Sequence, residues 1–194
     1  WEDGGATYHN RYSSWEFFRG QEGDSWIGQV KDPEIPSNIN AKSNRADWIN
    51  RQHTVSDSQY SQSQTFESAC RFLDRNHAED NWFLQVECFD PHEPFTVHRS
   101  YRDLYPSDYT GPMFDWPSYN QADEPPEVVE EARRNYAALL SKCDRSLGDI
   151  LDAFDRYNLW EDTMLMLWTD HGYLLGEHNS WAKNYMPLYE QISH

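Results

Sequence analysis

The chain has 194 residues, the length of one domain able to bury a proper hydrophobic core. Its 16 basic and 33 acidic side chains give a formal charge of −17. No basic face is left to neutralise phosphates, which excludes nucleic acid as a partner, and no apolar run approaches the roughly 20 residues of a membrane span, so no membrane partner is expected.

Residues 1–64 are rich in Gly, Ser, Asn, Gln and Trp without sustained periodicity, and read as a loop-rich, variable region. From Thr65, the apolar positions Phe66, Ala69, Cys70 and Leu73 recur at helical spacing and predict a short amphipathic helix to about His77. Residues Asn81 to Phe89 are dense in large apolar side chains (Trp82, Phe83, Leu84, Val86, Phe89) and predict a buried strand. It stops at Asp90-Pro91-His92-Glu93-Pro94, where two prolines forbid both ladder and helix. A second long loop covers 95–124.

Pro125-Pro126-Glu127 has the form of a helix start, with proline in the first turn and an acid at the positive end. Ala132, Tyr136, Leu139, Leu140, Cys143, Leu147, Ile150, Leu151 and Phe154 then follow at spacings of three and four, to an end near Tyr157-Asn158. Leu159 to Asp162 makes the turn, and Thr163 to Trp168 predicts a second buried strand. Strand, long helical connection and strand are the pattern of a crossover in a mostly parallel sheet flanked by helices, an α/β fold. Cys70, Cys88 and Cys143 lie in apolar surroundings without CxxC spacing and read as buried free thiols. The nine Trp and twelve Tyr suit core and loop packing, with stacking on sugars as the alternative.

The candidate chemistry sits where the two strands end. Thr169-Asp170-His171-Gly172 offers an oxygen and a nitrogen ligand from adjacent residues, which can reach one cation only beyond the end of a regular strand; Gly172 permits the bend. The alternative is that Asp170 caps a turn and His171 is an ordinary loop histidine. If the two strands are neighbours in an open α/β sheet, His92 at the end of the first shares a crevice with that pair and could hydrogen-bond an oxyanion or protonate a leaving group; otherwise it is an exposed turn residue. Lys183, between Trp181 and Tyr185, suits an oxyanion as a point charge. His178 is a further ligand, a partner of the ligands or plain loop. No Cys-x-Pro-x-Arg run, Gly-x-Ser-x-Gly elbow or Gly-rich phosphate loop is present.

Taken together, Thr169-Asp170-His171-Gly172, Leu175-Gly176-Glu177-His178 and Trp181-Ala182-Lys183 resemble the late metal-site block of sulfatases, in the subgroup with Asp-His-Gly. Asp90-Pro91-His92-Glu93-Pro94-Phe95 resembles their central Pro-His-x-Pro-Phe segment. Asp144-Arg145-Ser146-Leu147-Gly148, followed by Leu159-Trp160-Glu161-Asp162-Thr163, is similar to their helix leading into the metal strand. The order and spacing match over residues 82–194.

The resemblance implies an alkaline-phosphatase-like α/β sandwich and metal-dependent hydrolysis of sulfate esters of a small molecule or glycan, with phosphate or phosphonate esters as the alternative. It implies Asp170 and His171 as ligands of Ca²⁺, with Mn²⁺ or Zn²⁺ as alternatives. It implies Lys183 and His92 as catalytic, substrate-contacting residues, and His178 as a further substrate-side residue. The family's nucleophile, a formylglycine made in a Cys/Ser-x-Pro-x-Arg segment, has no counterpart here, nor has its early Asp pair. Residues 1–194 are therefore expected to be an internal piece of one catalytic domain, with 65–194 its core and the late half of an active site, catalytically incomplete alone. The missing remainder of the polypeptide is the expected partner, and a large exposed apolar patch is expected where it is absent. A non-catalytic glycan-binding domain that keeps the fold is the reading outside enzymes.

Overall fold

The computed structural model describes residues 8–183; Tyr185 lies outside them. Four α-helices are described, α1 Arg45–Arg51, α2 Ser61–Asn76, α3 Arg99–Arg102 and α4 Pro126–Tyr157, followed by two short strands, β1 Leu174–Leu175 and β2 Trp181–Ala182. None of the helices described is long and apolar enough to cross a membrane.

α4 is the spine of the molecule. Its 32 residues extend about 48 Å at 1.5 Å per residue. Proline occupies its first turn, and Asn158 ends it in the left-handed conformation (φ 57°), the role for which asparagine is second only to glycine. α2 packs along its C-terminal half. Ala69 and Leu73 of α2 meet Ile150, Ala153 and Phe154 of α4 and Leu159 beyond it, with Trp82, Leu84, Val86 and Leu165 added from the flanking segments.

α2 starts four residues before the expected Thr65. Ser61 to Gln64 carry no apolar period, yet Ser61 and Gln62 are buried. Gln62 donates to Ser146 Oγ at 3.3 Å and accepts from Cys143 Sγ at 3.7 Å. Polar contact with α4 replaces the apolar face that the sequence pattern needs. α1 was also unexpected: Asn44 Oδ1 caps it by accepting from the Ala46 and Asp47 amides at 2.8 and 3.4 Å.

A second apolar cluster holds the other end of α4. Phe114, Val128, Ala132, Trp181 and Ala182 form it, and Tyr173 and Leu175 pack against it. It ties the β1–β2 hairpin (Leu174 opposite Ala182, Leu175 opposite Trp181) to α4.

The expected parallel sheet is not formed among the described residues. The only sheet there is the antiparallel β1–β2 pair; Ile39 with Met113 and Gln121 with Ser180 make isolated bridges. Residues 81–89 and 163–168 carry no ladder. Burial nevertheless alternates with period two along the first: Trp82, Leu84 and Val86 face the α2–α4 cluster, and Phe83, Gln85 and Glu87 face outward. The first segment is covered on one side only, and of the large apolar residues in the second only Leu165 packs inward. Phe83 is 72% exposed, and Met164, Met166, Leu167 and Trp168 are 74 to 82% exposed. Apolar runs of this kind belong to strands buried on both faces; here the outer face is open, the apolar patch the sequence led us to expect. The three cysteines are free and part-buried, and burial pushes the Cys88 and Cys143 thiols up to about 12.

Candidate active site

The turn after the first extended segment positions His92. Its amide donates to Phe89 O at 2.9 Å. Beyond the turn Phe95, 1% exposed, is wedged edge-on between Tyr136 and Tyr173, with ring centroids 5.3 and 5.5 Å away. His92 Nδ1 lies 2.6 Å from the Glu93 carbonyl oxygen. A carbonyl only accepts, so Nδ1 carries the proton and Nε2 is left with a lone pair. That lone pair accepts from Lys183 Nζ at 2.6 Å.

Lys183 comes to this contact from 91 positions away. It directly follows β2, whose Trp181 is fully buried against Phe114 and donates its indole N–H to Glu124 Oε2 at 2.6 Å. Gly176 makes the hairpin turn possible: it sits at φ 96°, and a Cβ there would lie 2.9 Å from Val129 Cγ1 on α4.

Sequence reasoning gave no role to Glu93, Tyr119 or Glu22. Glu93 is 2% exposed. Its Oε1 accepts from Tyr119 Oη at 2.6 Å, and its Oε2 lies 3.3 Å from His92 Nδ1 and 4.0 Å from Lys183 Nζ. The Tyr119 ring lies under Lys42 Nζ, 4.7 Å from its centroid. Burial and the hydrogen bond to Glu93 raise the Tyr119 phenol well above its usual value, so it stays a donor. Glu22 Oε1 lies 3.8 Å from His92 Nδ1. Burial raises its carboxyl, against the pull of His92, and Glu93 adds to the rise. Only the position of Glu93 between His92 and Pro94 could have pointed to it in advance. Tyr119 and Glu22 are 26 and 71 positions from Glu93 and carry no local signal.

Asp170 and His171 form a second pair. His171 Nδ1 lies 2.9 Å from the Gly172 carbonyl oxygen, which again fixes the proton on Nδ1 and leaves Nε2 as the ligand-competent nitrogen. Nε2 is 3.5 Å from Asp170 Oδ2, and Oδ1 accepts from the His171 amide at 2.9 Å. One carboxylate oxygen and one imidazole lone pair thus face the same space, as two donors to one cation would. Among the described residues no group of three or more His, Cys, Asp and Glu is set to hold a cation, so this pair fits part of a shell that for calcium takes six to eight oxygens. His178 lies on the exposed turn Glu177–Asn179 at φ 52°, its carbonyl accepting from Ser180 Oγ at 3.2 Å.

A family model described as Sulfatase matches residues 6–192. Choline-sulfatase of Rhizobium meliloti is 31% identical over 120 residues, 53% of this chain and 23% of that protein. Iduronate 2-sulfatase of Mus musculus is 27% identical over 148 residues (62% and 27%), and an arylsulfatase of Clostridium perfringens 23% identical over 156 residues (72% and 32%). The chain spans about a quarter to a third of the length of these relatives. With nearly its whole length matched, the chain belongs to the sulfatase family and to the alkaline-phosphatase-like α/β fold that the family implies.

Proposed function

We propose that the protein hydrolyses sulfate monoesters of a small molecule or glycan, and that this chain supplies the leaving-group side of the site and part of its metal shell. The observation that carries the reading is the 2.6 Å contact between His92 Nε2 and Lys183 Nζ. It joins the ends of two separate motifs into one acid–base and charge unit.

In this reading a sulfate ester inserts at that contact. The Lys183 ammonium turns to a sulfate oxygen, where a fixed positive charge offsets the negative charge of the transition state. With Lys183 turned away, His92 Nε2 takes up a proton from solvent, faces the ester oxygen, and passes that proton to the departing alcohol as the nucleophile bonds to sulfur and the S–O bond to the alcohol breaks. Nδ1 stays bound to the Glu93 carbonyl, and the Glu93 carboxylate, oriented by Tyr119, stabilises the imidazolium. Asp170 and His171 would hold a divalent cation, calcium first with manganese or zinc as alternatives, which supplies Lewis-acid polarisation of the sulfate. His178 is a further substrate-side residue in this reading. The nucleophile, formylglycine in this proposal, comes from outside these 194 residues, which contain no Cys/Ser-x-Pro-x-Arg segment. In the whole protein, the extended segments 81–89 and 163–168 become sheet strands whose open faces are covered by the remainder of the polypeptide; the exposed Phe83, Met164, Met166, Leu167 and Trp168 support this.

The test is release of inorganic sulfate from aryl and alkyl sulfates by the intact protein with calcium. Turnover by the wild type, reduced at least about a hundredfold in both His92→Ala and Lys183→Ala, is expected. Turnover unchanged in both variants contradicts the assignment.

A further inference from the structure

A pocket of about 120 Å³ opens beside His92, walled by residues 19–22, by α1 and the turn that follows it, and by the Asp90–Pro94 turn. Neither the family match nor the motifs give it a ligand. We propose that this pocket receives the alcohol carried by the sulfate ester, and that it selects a compact cationic alcohol, an amino or quaternary ammonium alcohol, over one that bears a carboxylate. The inference rests on the sulfate-ester reading above for the direction in which His92 faces its substrate.

Three observations carry it. The first is position: His92 and Glu93 both line the pocket, so whatever fills it lies against the residue assigned to the leaving oxygen. The second is size. The pocket is a little smaller than the roughly 150 Å³ void that takes benzene in another protein, so it holds a compact head group and not a sugar chain.

The third is charge. Both arginines on the wall are already occupied. Arg19 places Nη2 and Nε 2.6 and 3.1 Å from the two Asp24 oxygens. Arg51 is held between Asp47 at 2.8 Å and Asp115 at 2.6 Å. Neither guanidinium keeps the open fork that a carboxylate ligand would need. The same wall carries Glu22, Asp47, Asp90 and Glu93, and Glu93 Oε2 is buried without a hydrogen bond, with His92 Nδ1 at 3.3 Å and Lys183 Nζ at 4.0 Å as its cationic neighbours. A buried carboxylate oxygen in that state is costly alone and favours a cation or an N–H donor beside it. Burial also raises the Glu22, Asp47 and Asp90 carboxyls, outweighing the pull of the cations that reach them, Arg51 on Asp47 and His92 on Glu22 and Asp90.

The experiment compares kcat/KM of the intact protein, with calcium present, on three sulfate esters. These are choline sulfate, its uncharged isostere 3,3-dimethylbutyl sulfate, and 3-sulfooxypropanoate. The cationic ester is expected to exceed the isostere by about tenfold or more, the order of one partly screened charge pair at about 6 Å, and to exceed the carboxylate by more. Glu22→Gln is expected to bring the first ratio close to one, and the ratio cancels any effect of Glu22 on His92 itself. Equal turnover of the cationic ester and its isostere, or preference for the carboxylate, overturns the proposal. So does a ratio unaltered in both Glu22→Gln and Asp90→Asn. Titration of choline into the wild type and Glu22→Gln, followed by NMR, separates the two readings. Choline binding that weakens in Glu22→Gln, in a protein that hydrolyses none of the esters, upholds the pocket and defeats the hydrolase. Hydrolysis without charge preference does the reverse.

Discussion

Glu93 is the residue on which the proposed acid catalysis depends most, and Glu93→Gln isolates its charge. The amide keeps an oxygen to accept from Tyr119, so the 2.6 Å hydrogen bond and the turn survive. What is lost is a negative charge 3.3 Å from His92 Nδ1. Coulomb's law at an effective dielectric of about 20 gives about 5 kcal/mol for a full imidazolium at that distance. The measured influence of a carboxylate so close is smaller, about 1.4–4 kcal/mol, because solvent reaches part of the pair. The imidazolium that serves as the acid is then harder to form, and the overall rate of the step it serves should fall by up to about 10- to 1,000-fold. The loss must depend on the leaving group, since only a poor one needs the proton. The assay is kcat on a series of aryl sulfates from phenyl to 4-nitrophenyl, with the thermal melt as a control of the fold. Near-full loss on phenyl sulfate, shrinking toward none on 4-nitrophenyl sulfate, is expected. An equal loss across the series, or none, refutes the assignment of Glu93 to His92.

Other consequences are open to test. Burial lifts the Asp47 carboxyl from 3.8 to about 6, so between those values the folded chain holds a proton that the unfolded chain has released. Its contribution to stability therefore falls as pH rises through that window, by on the order of 3 kcal/mol. Asp47→Asn should gain on the wild type as pH rises from about 4 to about 7, and a constant difference in urea midpoints would count against this. Gly176→Ala forces a left-handed residue against Val129 and should cost at least about 1–2 kcal/mol of stability. It should also lower sulfate-ester turnover through displacement of Lys183, and an unaltered melt would show that the hairpin is not held as described. Calcium should raise the melting temperature of the wild type, and His171→Ala and Asp170→Asn should each remove that rise; a rise that persists in both places the cation elsewhere.

The helices were legible because their signals are local. α4 declares itself by Pro126, by its run of apolar residues and by Asn158, and α2 by Phe66, Ala69, Cys70 and Leu73. Their starts and ends blurred where polar contact took over, as at Gln62. The sheet misled because the apolar content of 81–89 and 163–168 reports burial on two faces, while ladder partners come from wherever the fold brings them. None comes from the described residues. Among the candidate site residues, His92, Lys183, Asp170 and His171 stood out because proline, glycine and the ends of apolar runs frame them. Glu22 and Tyr119 did not, because their roles arise from distance in space and no spacing in the chain encodes them. The charge of the pocket beside His92 was equally hidden, since Arg19 and Arg51 look like free cations until their carboxylate partners are seen.

The central claim is that the His92–Lys183 unit serves a sulfate ester. The most direct measurement is steady-state release of 4-nitrophenol from 4-nitrophenyl sulfate and from 4-nitrophenyl phosphate, by the intact protein and by Lys183→Ala, with calcium and after chelation. The account predicts preference for the sulfate ester, dependent on the cation and lost in Lys183→Ala. Preference for the phosphate ester, or sulfate turnover indifferent to Lys183, would contradict it.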